Sequence, residues 1–110
     1  MTETTTDLAQ LLDRWAKVAP EECSIMGDGW WTVGEFATAS TRSDHNAVIL
    51  YHALTCAARR GWNPTVNHLP EDEGEPACWE AFVGAVPSVE ADTPELAVLS
   101  AYVAAIEAAP

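Results

Sequence analysis

Cys23-Ser24-Ile25-Met26, then Gly27-Asp28-Gly29, then Trp30-Trp31-Thr32-Val33-Gly34-Glu35-Phe36 is the segment on which the architecture turns. Two short runs of strand-forming residues around a Gly-Asp-Gly turn read as a β-hairpin. Side chains alternate faces along a strand, so Trp30 and Trp31 cannot both point into one core. One of them should cover the opposite face or stay partly exposed.

Helical patterns flank the hairpin. Upstream, Leu8, Leu11, Leu12, Trp15 and Val18 recur at three- and four-residue steps, predicting a helix from about Asp7 to Val18 with Gln10, Asp13, Arg14 and Lys17 on its wet side. Thr6 can cap it, Asp7 suits the positive end of its dipole, Asp13 can reach Lys17, and Pro20 closes it. Downstream, Ala37 to Ser43 reads as a loop feeding a second helix from Asp44 to Arg60. Its apolar stripe is read as Ala47, Leu50, Tyr51, Leu54 and Ala58, its cap as Asp44 or Ser43, and its stop as Arg59-Arg60-Gly61.

Beyond Gly61, Trp62 to Leu69 reads as a third strand that starts after Pro64 or lies at an edge, because proline removes a ladder hydrogen bond. Pro70 to Pro76 is an acidic solvated loop, Ala77 to Val83 a fourth strand and Gly84 to Glu90 a connector. The last helix runs to about Ala108, opened either by Asp92 with Glu95 or by Thr93 with Pro94 at its first position. Leu96, Leu99, Tyr102, Val103 and Ile106 make its core stripe, and its Ala- and Val-rich back suits packing on more than one side.

The order α-β-β-α-β-β-α with short connections places the chain in the α+β class, with one antiparallel or mixed sheet of about four strands and three helices. Residues 1–6 read as a frayed end and residues 7–110 as a single domain. A shift of 48 residues brings Trp31 onto Trp79, Asp44 onto Asp92, Ala53 onto Ala101 and Ala57 onto Ala105, which raises an internal duplication as a hypothesis.

Charge narrows the function. The 110 residues carry 17 acids against five Lys and Arg, for a net charge of −12, yet 48% are hydrophobic, enough for a real core. Residues 61–110 hold nine acids and no Lys or Arg, so the charge is an asymmetry along the chain. Direct nucleic-acid binding needs clustered cations, and an anionic membrane surface repels this chain for the same reason. No apolar run is long enough to span a bilayer, and the first residues lack the basic and apolar parts of a signal peptide. Three cysteines, Cys23, Cys56 and Cys78, without a CxxC pair read as free thiols, and the expected location is the cytoplasm of a host cell.

Three marks together resemble small bacteriophage proteins: Trp30-Trp31 before Ala39-Ser40-Thr41-Arg42-Ser43-Asp44, the Asp44–Gly61 helix with Trp62, and Trp79-Glu80-Ala81 followed by Glu90-Ala91-Asp92-Thr93-Pro94-Glu95-Leu96-Ala97. The chain resembles the phage ABA-sandwich family and is similar in layout to phage NinX-like proteins, over about residues 24–108. It departs from them in the acidic insertion Glu71 to Glu75. The resemblance implies a phage or prophage origin and an α/β/α layering. It brings no catalytic residues and no cofactor.

Four groups of residues are candidates for function. His45, His52 and Cys56 lie on one side of the middle helix, and a His52/Cys56 pair at i, i+4 is a known way to supply two ligands to zinc. Ile49 and Arg59 share that side, opposite the Leu50/Leu54 stripe, and are poor neighbours for a metal, so the expectation is an ordinary outer face. The same residue types raise nucleophilic catalysis, but no thiol sits at a helix start and no GxSxG, P-loop or GxGxxG occurs. Glu71, Asp72, Glu73 and Glu75 lack calcium-loop spacing and read as a solvated loop, or as a carboxylate row that mimics nucleic acid. Of the five tryptophans, Trp15 and Trp79 are expected in the core, and Trp30 or Trp31 at a partner or dimer contact. The expected function is protein binding without catalysis or cofactor, by a small acidic accessory protein.

Overall fold

The computed structural model describes residues 7–39 and 41–109. Helix α1 (Leu8–Val18) starts at Asp7, whose side chain accepts from the Gln10 N–H while the Gln10 side chain accepts from the Asp7 N–H. This reciprocal pair satisfies two donors that a helix start leaves free. Thr6, the cap read from sequence, lies outside the described residues. Helix α3 (Pro94–Ala108) starts at Thr93, which accepts from the Leu96 N–H with Pro94 next to it, so Thr93 and not Asp92 is the cap. Helix α2 (Asn46–Arg59) follows a 3-10 turn, Ser43–His45, and His45 at its cap position makes no side-chain capping bond; the Ser43 side chain, the other expected cap, lies outside what the structure describes. Asp44, expected there, pairs instead with Arg42 at 2.9 Å. At its other end the Trp62 N–H bonds the Ala57 carbonyl and the Gly61 N–H bonds that of Ala58, with Gly61 at φ +84°. That paired closure requires a left-handed residue after the cap, which glycine adopts without strain.

The strands form two sheets, not one. Sheet A joins β1 (Cys23–Gly27), β2 (Trp30–Val33) and β3 (Phe36–Ala39). Sheet B joins β4 (Thr65–Leu69), β5 (Cys78–Phe82) and β6 (Val89–Ala91), and both are antiparallel meanders. The expected hairpin forms around Gly27-Asp28-Gly29, and its strands pair Cys23 with Val33 and Ile25 with Trp31. Two strands were missed. Phe36–Ala39 falls in the segment read as the end of a strand and a loop, because Gly34, at φ +63°, turns the chain back there. Val89–Ala91 falls mostly in the expected connector, being too short for alternation to register. The third strand does begin after Pro64.

Layering also departs from the α/β/α arrangement. Sheet A lies on α1 and α2, sheet B lies on α3, and α3 packs against both other helices, so the helices sit between the sheets. Helix α3 is therefore the centre of the core, with Ala97, Val98, Leu99, Ala101, Tyr102 and Val103 fully buried. Trp15, Leu11 and Leu12 meet it from α1. Trp15 and Tyr102 pack edge to face at 6.0 Å. Trp79 is half-buried against the core.

The buried side of α2 is the reverse of the expected one. Ile49, Ala53, Cys56 and Ala57 are buried, whereas Tyr51, Ala47 and Ala58 are exposed, and Leu50 and Leu54 are only partly covered. The helix turns Ala53 and Ala57 inward, and small side chains allow close approach to the alanines of α3.

Topology repeats as β-β-β-α, with α2 and α3 following sheets A and B, and β2 aligning with β5 under the 48-residue shift. Packing does not repeat, since α3 lies against all three strands of its sheet and α2 only skirts β2 and β3. The likeness is one of order, not of packing. Among the described residues, no helix is long and apolar enough to cross a membrane.

Candidate interaction surface

The turn between β2 and β3 delivers Phe36 beside α2. The Phe36 and His52 rings are 5.6 Å apart, and Tyr51 meets the same imidazole edge-on at 5.4 Å. Phe36 is 54% exposed and Tyr51 64% exposed, so the seam between β3 and α2 is an aromatic surface open to solvent. Ile25 and Met26 on β1, at 61% and 58%, add apolar surface on the far edge of the same sheet. Trp30 is exposed and tilts over His45 at 5.8 Å, whereas Trp31 is buried and donates its indole N–H to Asp13 Oδ1 at 2.9 Å. That bond also replaces the expected Asp13–Lys17 pair. Sequence reasoning missed Phe36 and placed Tyr51 in the core; a strand-ending Phe just after Gly-Glu was the available signal.

A cleft of about 320 Å³ adjoins this seam, lined by Glu21, Glu22, Gly34, Glu35, His52, Cys56 and Arg59. Here the structure brings His52 and Cys56 together with carboxylates that the sequence did not connect to them. His45 is separate, held against Ala39. Among the described residues, no group of three or more His, Cys, Asp or Glu is placed to hold a metal ion. Burial pushes the Cys56 thiol up, with the Glu22 charge adding to it. Burial also pushes the Cys23 thiol up to about 12, with Asp13 and Glu22 adding. Such thiols stay protonated at neutral pH and are weak nucleophiles.

Glu22 organises the back of the cleft. Its Oε1 accepts from the Trp15 indole at 2.9 Å and the Tyr102 hydroxyl at 2.6 Å, and its Oε2 accepts from Arg60 at 3.1 Å. Arg60 also donates to the Tyr102 oxygen at 2.9 Å and lies over the Trp62 and Tyr102 rings. The Tyr102 phenol is pushed up, first by burial and then by its bond to Glu22. One carboxylate thus ties α1, the end of α2 and α3 into a satisfied polar network.

The acidic segment is more ordered than a loop. Asp72 and Glu75 exchange backbone hydrogen bonds of 3.1 and 2.8 Å, and Glu73 and Gly74 both have positive φ, +47° and +83°. Positive φ at both central residues is the signature of a two-residue hairpin turn whose twist matches its strands. Glu71, Asp72, Glu73 and Glu75 are all exposed on this tip. At its base, a concavity of about 470 Å³ includes Leu69, Glu71, Glu75, Cys78 and Glu90. The Cys78 thiol faces Glu90 there and is pushed up by burial, then by that charge.

No family model, curated protein or solved structure matches the chain.

Proposed function

We propose that this protein acts without catalysis, by holding another protein against the aromatic seam formed by Phe36, His52 and Tyr51. The observation that carries this reading is the exposure of Phe36 and Tyr51 in mutual contact with His52, on a fold that buries Trp15, Trp31 and Tyr102. Aromatic side chains supply large contact area at low entropic cost, and contiguous apolar exposure on a small domain marks an interaction site. A partner with an apolar, basic surface fits best. Glu21 and Glu35 border the seam, and a net charge of −12 opposes association with a second copy. The resemblance to phage ABA-sandwich proteins is consistent with an accessory role in a phage or prophage, in the host cytoplasm.

Capture from host lysate tests this reading. Phe36→Ala with Tyr51→Ala should abolish capture of a basic protein while leaving the fold intact. Unchanged capture by that variant, or self-association of the wild type as the sole binding, would sink it.

A second reading draws on the ordered hairpin that presents Glu71, Asp72, Glu73 and Glu75: an inhibitor that occupies the nucleic-acid site of a basic host factor. Neutralising these four carboxylates should then abolish capture, and binding should weaken steeply with salt. Under the first reading the same variant binds through the seam.

A further inference from the structure

The end of β3 is closed by a histidine. The Ala39 N–H donates to Nδ1 of His45 at 3.0 Å, and the Ala39 carbonyl accepts from the Arg42 N–H at 3.1 Å. The His45 N–H in turn bonds the Arg42 carbonyl at 2.9 Å. A backbone N–H can only donate, so Nδ1 must carry its lone pair and the imidazole proton must sit on Nε2. Protonating the ring would turn that acceptor into a donor and set two N–H groups against each other. Ala39 is buried, so its freed N–H has poor access to water.

We propose that His45 is a pH-sensitive latch that secures the end of edge strand β3 to the start of α2 when neutral and releases it when protonated.

The surroundings fit a switch of this kind. Trp30 of β2 lies over the ring, and Asp44 and Arg42 are the charged groups beside it. Arg42 holds the Asp44 carboxylate below the ordinary range, with His45 contributing more weakly, so Asp44 stays ionised beside the ring. From α2, Asn46 faces away to donate to Glu95 of α3 at 2.9 Å. Release would free the β3 edge one residue from Thr38 and loosen the cover on Trp30, next to the aromatic seam. The latch does not depend on what that seam binds.

Amide exchange and imidazole ¹⁵N shifts, read by NMR on the intact protein from about pH 8 to about pH 5, test the latch. At the upper pH the His45 ring should carry its proton on Nε2. At the lower, the Ala39 protection factor should fall at least about fivefold relative to residues within β2. His45→Asn puts an amide oxygen near the Nδ1 position and cannot titrate, so Ala39 protection in this variant should not change with pH. A proton on Nδ1 at the upper pH overturns the proposal, as does equal Ala39 protection at both. Both measurements on the wild type decide the matter even if the variant fails to fold.

Discussion

Gly34 and His52 pack so closely that a Cβ at position 34 would lie 2.5 Å from His52 Cε1 and 2.9 Å from Nδ1. The same glycine sits at φ +63°, where an L-side chain is strained. The contact sets the β2–β3 turn against α2 and thereby fixes Phe36 over the His52 ring.

Gly34→Ala should destabilise the protein by about 1–3 kcal/mol, from backbone strain plus displacement of the imidazole. In a His52→Ala background the steric part disappears, leaving about 1 kcal/mol. Urea denaturation of the four proteins in this cycle measures the difference. A zero coupling between the two sites would show that they do not touch in solution.

Glu22→Gln should cost about 1–3 kcal/mol, because an amide cannot accept from Trp15 and Tyr102 at one end and from Arg60 at the other without presenting its NH₂ to a donor. Tyr102→Phe removes one of those donors and should cost less. Chemical denaturation at neutral pH ranks the pair, and a reversed ranking would show that Glu22 is not the hub.

Alkaline pH should weaken the fold. Cys23, raised to about 12, and Tyr102, also raised, hold their protons more tightly folded than unfolded. Their contribution is full below the unfolded values, about 8.5 for a thiol and about 10 for a phenol, and is lost as pH rises towards the folded ones. Cys23→Ala should reduce the first part of the decline, from about pH 8.5 upward, leaving the smaller share of the Cys56 and Cys78 thiols, and Tyr102→Phe should reduce the later part. Thermal denaturation from neutral pH to about pH 11 reads both, and a wild-type melting temperature independent of pH over that range would contradict the burial of these groups.

Ala101→Leu should overpack the contact at the centre of α3 and cost about 1–3 kcal/mol or more, since position 101 is fully buried between closely packed elements. Ala104→Leu, one turn position away and only half-buried, should be far milder. Equal melting temperatures for the two would mean that α3 is not the central helix.

Local chemistry made much of this legible. The Gly61 stop, the Gly-Asp-Gly hairpin and the strand after Pro64 each follow from one residue's backbone preferences, and the structure bears them out; at α3 it takes the Thr93-Pro94 start over the Asp92-Glu95 start that the sequence allows equally. Alternation likewise required Trp30 and Trp31 to part company, and they do. The aromatic seam was not legible, because Phe36 and Tyr51 meet through His52 across two elements.

Capping, turn and proline effects act within a few residues, so the courses of the three helices and the presence of strands between them were readable from local sequence. The number of sheets and the inward side of α2 came instead from long-range packing. Ala47, Val48, Ile49, Leu50, Ala53, Leu54, Ala57 and Ala58 surround most of that helix with apolar groups, so periodicity offers more than one buried face. The choice fell to the side whose small residues admit α3, leaving Tyr51 outside beside Phe36. That choice is a property of the partner helix, and it places the candidate surface.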